Sequence, residues 1–289
     1  MKDADDVLDL LRAAGQDIPK EKIEEIRRKI NKITSYVPRV GVMGKTGAGK
    51  SSLCNALFGK DIAETASVEA CTREAQEINI GVGARNIVLI DLPGVGESDE
   101  RDLEYREMYQ NTLPNLDLIL WVIKSDDRAM AIDEKFHKEV VRPAANDDLP
   151  IVFVVSQVNK ISPDKEWNRD LGLPGDKQKS NILAKADAIS RQFDVSTAKI
   201  VPVSAEEKYG LHNLVESIVT FLPNEKKMAF SETVNEEHVS AAAKEEAKEG
   251  FFSAILSVVK NSIEKIITSH SEDAIKFLAK KVFDFFTKR

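Results

Sequence analysis

The sequence predicts a three-layer α/β fold with a mainly parallel sheet and helical additions at both ends. Three observations carry this expectation. Strand-like runs at 40–43, 77–80, 86–91, 116–123, 151–156 and 199–203 alternate with helical stretches at 102–110, 130–141, 178–192 and 211–222. Such alternation implies parallel strands with both sheet faces covered. The run Leu118-Ile119-Leu120-Trp121-Val122-Ile123 has no polar alternation, which suits a strand buried on both sides. A glycine-rich segment at 44–51 separates the first strand from a helix that reaches Leu57.

The flanks follow a different pattern. Residues 4–35 read as two helices broken around 15–19, with Ile23, Ile26, Ile30 and Ile33 at helical spacing among Lys, Arg and Glu. We divide the chain into N-terminal helices at 1–37, a central α/β domain at 38–224, and a C-terminal linker and amphipathic helical region at 225–289. The linker is read around Pro223-Asn224-Glu225-Lys226-Lys227 and is followed by a Glu- and Lys-rich stretch at 232–249. Phe252, Ile255, Leu256, Val259, Ile263, Ile266 and Ile267 then keep helical spacing, and 269–272 reads as a capping box. A second tail helix carries Ile275, Leu278, Val282, Phe285 and Phe286, with lysines 260, 265, 276, 280 and 281 interleaved. Three readings of this tail stay open: a hairpin docked on the rest of the chain, a membrane-surface element suited to anionic lipid, and a site for a partner helix.

Composition narrows the function classes. With 42% hydrophobic and 31% charged residues, the 289-residue chain is globular rather than wholly disordered. A net charge of −7 argues against a dedicated nucleic-acid binder. Cys54 and Cys71 cannot make a disulfide framework, which fits a reducing, cytoplasmic setting and leaves peripheral membrane contact open. The acidic start leads into no apolar core, so no secretory signal is expected. No apolar run approaches the roughly 20 residues of a membrane span. His137, His212, His238 and His270 do not cluster with Cys or carboxylates, so no zinc site is expected. Cys54 reads as a small core residue, and Trp167 as either a contact residue or a packing anchor.

The chemistry concentrates in the glycine-rich segment. Gly44-Lys45-Thr46-Gly47-Ala48-Gly49-Lys50-Ser51 matches GxxxxGK[ST], and it lies between a predicted strand and a predicted helix. Glycines let the backbone curl so that its N–H groups face a phosphate, and the following helix adds its positive end. Lys50 neutralises β- and γ-phosphates, and the Ser51 hydroxyl, with Ser52 beside it, reaches Mg²⁺ or the nucleotide. Asp91-Leu92-Pro93-Gly94 ends a strand, where Asp91 can hold Mg²⁺ through water and the Gly94 N–H can sense a γ-phosphate. Val203-Ser204-Ala205 follows the last strand, and a backbone amide there can meet a base carbonyl.

The ordered set 44–51, Thr72, 91–94 and Ser204-Ala205 resembles a P-loop GTPase of the TrmE–Era–septin branch. More closely it resembles the small Era-like bacterial GTPases of YfjP type or ribosome-binding type. The helix Leu53-Cys54-Asn55-Ala56-Leu57-Phe58 and the two switch-like segments Cys71-Thr72-Arg73-Glu74 and Asp91-Leu92-Pro93-Gly94-Val95-Gly96-Glu97-Ser98 carry the likeness, which covers roughly 38–223. It implies a P-loop nucleotide-binding domain that takes GTP or GDP with Mg²⁺. Ser51, Thr72 and Asp91 are then the metal residues, and Lys50, Thr72 and Gly94 act on the γ-phosphate. Contact with the ribosome or RNA is implied by family analogy alone.

Two departures matter. Where the family reads the base with [NT]KxD, this chain has Ser156-Gln157-Val158-Asn159. Gln157 stands for the Lys that packs on the base, and Asn159 for the Asp. An Asp accepts from both guanine N1–H and N2–H, whereas an Asn offers one acceptor and one donor. A mismatch of that kind is worth on the order of 1–3 kcal/mol. Guanine is the family's base, and adenine or relaxed selectivity is the alternative these substitutions open. A shifted register, Asn159-Lys160-Ile161-Ser162, restores Asn and Lys but ends in Ser. Asn159→Asp is expected to raise the preference for GTP over ATP and xanthosine triphosphate.

The second departure concerns water activation. Val95 follows the DxxG motif in place of a Gln, and Gly47 occupies the place of a potassium-binding Asn. Gly47 resembles septins and immunity-related GTPases, which pair across the nucleotide face. The expectation is therefore slow GTP hydrolysis assisted by a homodimer or a partner, in a nucleotide-dependent switch. The alternative is a non-catalytic, nucleotide-gated protein that binds a membrane or a partner through its C-terminal helices.

Overall fold

Aliphatic and β-branched runs form six strands: β1 (Arg39–Met43), β2 (Gln76–Val82), β3 (Arg85–Asp91), β4 (Leu118–Lys124), β5 (Ile151–Ser156) and β6 (Ile200–Pro202). The computed structural model describes residues 20–59, 76–82, 85–92, 99–145 and 149–263, together with 276, 279, 280, 283 and 284. The expected helix near the N-terminus and the capping box at 269–272 lie outside these residues. The strand order is β2-β3-β1-β4-β5-β6, with β2 antiparallel to β3 and every other pair parallel. The expected three-layer, mainly parallel α/β fold is therefore the one observed.

The helices around the sheet, in chain order after α1 (Lys20–Thr34), are α2 (Lys50–Phe58), α3 (Asp99–Thr112), α4 (Met130–Phe136), α5 (Asp176–Phe193) and α6 (Leu211–Phe221). The helix expected across 130–141 is not uniform, because His137–Val141 widens into one π turn. A π turn inserts an extra residue into the helical ladder and re-aims the side chains around it. Here His137 is buried in an aromatic cluster, its ring centroid 5.4 Å from Trp121, 5.6 Å from Phe193 and 5.8 Å from Phe153.

Burial holds the His137 imidazole down at about 4 from its ordinary 6.5, and the nearby cations Arg142 and Lys138 add to the effect. The unfolded chain takes up this proton near pH 6.5, and the folded chain does so only near pH 4. Between those values the unfolded state binds more protons, so stability falls as the pH drops through that window, by up to about 3 kcal/mol. His137→Phe is expected to flatten that acid loss. Urea midpoints at pH 7 and pH 4.5 for both proteins check it, and equal losses would refute it.

The chain divides into two compact units. One comprises 37–222 with 230–243, and the other comprises the described residues of 1–36, 223–229 and 244–289. In the first, residues 230–243 support the C-terminal end of α2. Phe230 meets Phe58 edge-on at 6.2 Å, the Asn235 N–H donates to Leu57 O at 2.8 Å, and His238 Nε2 donates to Ala56 O at 3.0 Å. These contacts satisfy carbonyls that a helix end leaves without intrahelical partners.

The stretch expected as linker is α7 (Asn224–Ser231), whose residues to 229 belong to the second unit, and α8 (Ala241–Ile263) belongs to that unit from 244 on. Pro223 sits just ahead of α7, where its missing N–H costs the helix nothing. Ile23, Ile26 and Ile30 of α1 bury against Phe251, Ile255 and Val259 of α8, with Ala279 in the same cluster. Of the three tail readings, docking within the chain accounts for this apolar face. Among the described residues no helix is long and apolar enough to cross a membrane.

Candidate nucleotide-binding site

The C-terminal ends of β1, β3, β4, β5 and β6 all contribute to one site, as expected at the carboxyl edge of an open α/β sheet. The chain leaves β1 at Gly44, whose φ is +142°, and an added Cβ would lie 2.2 Å from Val122 O of β4. Only glycine lets the loop turn so close to the neighbouring strand. Gly49, at φ +91°, is the N-cap of α2 and provides no side-chain cap. The first-turn N–H groups of α2 are thereby left for a ligand, the arrangement that favours an anion. Lys50 Nζ reaches back over the loop to Gly44 O at 2.8 Å and Lys45 O at 3.5 Å. Ser51 and Ser52 are exposed on the first turn, while Leu53, Cys54, Leu57 and Phe58 anchor the opposite face. Cys54 is a core residue, as expected, and burial together with the Asp91 charge pushes its thiol up to about 12.

Asp91 ends β3, paired with Val42 of β1. Its Oδ1 is buried without a hydrogen-bond partner among the described residues. Burial raises its carboxyl above the usual range, and Lys50 pulls in the opposite direction. A buried, orphaned carboxylate oxygen beside an open hydroxyl helix turn fits a divalent cation, which restores the charged form. Thr72, Gly94 and Val95 lie outside the described residues.

Lys45 behaves differently from the rest of the loop. Its Nζ lies 2.7 Å from Asp127 Oδ2, 2.7 Å from Asp133 Oδ2 and 2.8 Å from Ala129 O. Burial alone would lower this ammonium, but the two carboxylates outweigh it and the net shift is upward. The phosphate loop is thus tied by a side chain to the segment after β4. Sequence reasoning missed Asp127 and Asp133. The signal available was their position just beyond the C-terminal end of an apolar strand.

The segment after β5 clamps the same loop. The Ser156 hydroxyl donates to Ala48 O at 2.5 Å, and Gln157 Nε2 donates to Gly47 O at 3.2 Å. Gln157 takes a left-handed conformation with φ +56°, and its carbonyl accepts from Ser125 Oγ at 3.0 Å. Lys160 Nζ donates to Gln157 Oε1 at 3.2 Å. Asn159 Nδ2 donates to Glu206 Oε2 at 3.4 Å. Gln178, fully buried on α5, braces this segment by donating to Asn159 O at 3.0 Å and Ile161 O at 2.8 Å. After β6, Ser204 and Tyr209 exchange backbone hydrogen bonds of 3.0 Å each, closing a short hairpin that carries Ala205 and Glu206. Trp167 packs edge-on against Tyr209 of this hairpin at 5.4 Å and is 8% exposed, so it serves as a packing anchor.

The described candidates Gly44, Lys45, Thr46, Gly47, Ala48, Gly49, Lys50, Ser51, Ser52, Asp91, Gln157, Asn159, Ser204 and Ala205 therefore all lie on segments that meet along one sheet edge. Comparison with known proteins identifies the family. The profile of the 50S ribosome-binding GTPase family matches residues 39–160. The uncharacterized protein YfjP of Escherichia coli K12 is 35% identical over 289 residues, covering 97% of this chain and 98% of that one. GTPase Era of Aquifex aeolicus is 26% identical over 193 residues, covering 64% of this chain and 56% of that one. Among solved structures, the bacterial dynamin GTPase LeoA from ETEC overlays with a TM-score of 0.52 over 90% of this chain and 45% of its own at 16% identity, a likeness of fold alone. The chain belongs to the family of YfjP, and its residues 39–160 carry the P-loop GTPase domain described as that of 50S ribosome-binding GTPases.

Proposed function

We propose that this GTPase binds GTP and GDP with Mg²⁺ at the site above, hydrolyses GTP slowly, and acts as a nucleotide-dependent switch completed by a second copy or another partner. The observation that carries the reading is the pairing of the uncapped α2 N-terminus and Lys50 with the orphaned Asp91 oxygen. Backbone N–H groups of the loop bind the β-phosphate, and Lys50 exchanges its carbonyl contacts for the β- and γ-phosphates. Ser51 and Asp91, with Thr72 as the further candidate, hold Mg²⁺. Held by these residues, the ion would supply positive charge against the phosphates.

The clamp from Ser156 and Gln157 onto Ala48 and Gly47 supports the register that puts Asn159 at the base. The rate follows from what the sequence lacks. Val95 cannot orient water by hydrogen bonding, and Gly47 offers no side chain to a potassium ion. Turnover by one copy is expected to be slow, to respond little to potassium, and to rise per molecule with protein concentration. Phosphate release measured across a protein dilution series, with potassium and with sodium, checks this. Brisk hydrolysis independent of concentration and cation would overturn assisted catalysis. Zero turnover at every concentration would instead leave a nucleotide-gated binding protein.

A further inference from the structure

Asn159 is a poor substitute for a base-reading Asp by itself, because its amide presents one donor and one acceptor to two guanine donors. The structure places a carboxylate beside it. Glu206 Oε2 accepts the Asn159 Nδ2 donor at 3.4 Å, a long hydrogen bond that fixes which end of the amide is turned aside. Asn159 Oδ1 and Glu206 Oε1 have no protein partner among the described residues. Both carriers are held by their surroundings. Gln178 grips the backbone carbonyls of Asn159 and Ile161, and the Ser204–Tyr209 hairpin presents Glu206. They extend from neighbouring strands, β5 and β6, paired at Val155 and Pro202.

We infer that Glu206 is a specificity-determining residue that, together with Asn159, presents the two acceptors that read guanine N1–H and N2–H. The inference rests on the guanine-nucleotide reading of the site and deepens it. Glu206 turns the Asn159 amide so that its carbonyl faces the base, and supplies the second acceptor itself. Two side chains thereby do the work of one carboxylate. Hypoxanthine lacks the 2-amino group and forfeits one of the two contacts. Xanthine sets a carbonyl against the Glu206 oxygen and is repelled.

Competition against a fluorescent GDP analogue with GDP, IDP, XDP and ADP tests this without interference from turnover. Wild-type protein is expected to prefer GDP over IDP about tenfold, the value of one charge-assisted hydrogen bond. Glu206→Ala should bring that ratio to within about twofold and raise XDP relative to GDP, with GDP losing more affinity than IDP. Adding Asn159→Asp to Glu206→Ala should restore the preference for GDP, since one carboxylate again supplies both acceptors. With Glu206 present, the same Asn159→Asp change sets two carboxylates side by side, so the gain in guanine preference expected from the sequence alone should not appear. An equal loss for all four nucleotides, or failure of the double variant to recover, would show a merely structural role and overturn the inference. Protein that binds GDP but is indifferent to Glu206→Ala overturns it alone. Protein that binds none of the four overturns the nucleotide reading as well.

Discussion

Lys50→Ala is expected to lower affinity for GDP and GTP by about a hundredfold or more while leaving the fold intact. Among the described residues, Lys50 Nζ bonds to the loop carbonyls Gly44 O and Lys45 O and to no carboxylate, so its removal deprives none of those residues' carboxylates of a hydrogen-bond partner. With nucleotide bound it is a cation against two phosphates. Charge-assisted hydrogen bonds are worth about 1.5–3 kcal/mol each, and about 1.4 kcal/mol is tenfold in affinity. Titration of a fluorescent nucleotide, with circular dichroism as the folding control, measures the loss. Folded Lys50→Ala protein with wild-type affinity would sink the assignment. Asp91→Asn sharpens the test by moving two quantities in opposite directions. It removes a buried charge whose Oδ1 has no partner among the described residues, so the ligand-free protein should gain stability. It should also lose the magnesium-dependent part of nucleotide affinity. Ser51→Ala should share only the second effect.

Deletion of residues 250–289 is the change with the largest expected effect on stability. It strips Phe251, Ile255 and Val259 from Ile23, Ile26 and Ile30 of α1. Burying a large apolar side chain is worth about 1.5–3 kcal/mol, so these six represent on the order of 10 kcal/mol, comparable with the whole stability of a typical domain. The truncated protein is expected to aggregate or to lose its helical-unit unfolding transition. Nucleotide affinity should persist, because the phosphate loop lies in the other unit. Phe251→Ala is the milder version, with an expected loss of about 3–5 kcal/mol. Liposomes containing anionic lipid supply the counter-test. If truncation abolished vesicle binding while stability and solubility were unchanged, the tail would be a membrane element and not a docked one.

The phosphate loop was legible because its chemistry is local. Eight consecutive residues and the strand and helix around them suffice to place backbone N–H groups, Lys50 and Ser51, and no distant partner has to be known. The sheet was legible for a similar reason. Runs such as Leu118 to Ile123 can be satisfied only between two covering layers, and alternating helices supply those layers. The apolar spacing of Ile23, Ile26 and Ile30, and of Ile255 and Val259, identified faces that had to be buried, though not against which neighbour.

What remained open depended on contacts between segments far apart in the chain. The register of the base-reading segment is a matter of which side chain touches the phosphate loop, and Ser156 and Gln157 reach Ala48 and Gly47 across more than a hundred residues. Glu206 lies 47 residues from Asn159, and a Glu two positions after Ser204 reads as a solvated surface residue until the hairpin brings it to the amide. Lys45 looked like one more phosphate ligand until folding set Asp127 and Asp133 on its ammonium. The stretch at 223–227 carries the polar composition of a linker, yet a helix starts at Asn224, and its residues to 229 belong to the unit that holds α1. Composition and periodicity record what each segment needs, a phosphate, a covered face or a partner for a charge. Which group meets each need is fixed only when the chain closes on itself, because a hydrogen bond or an ion pair is decided by ångströms in space and not by spacing in sequence.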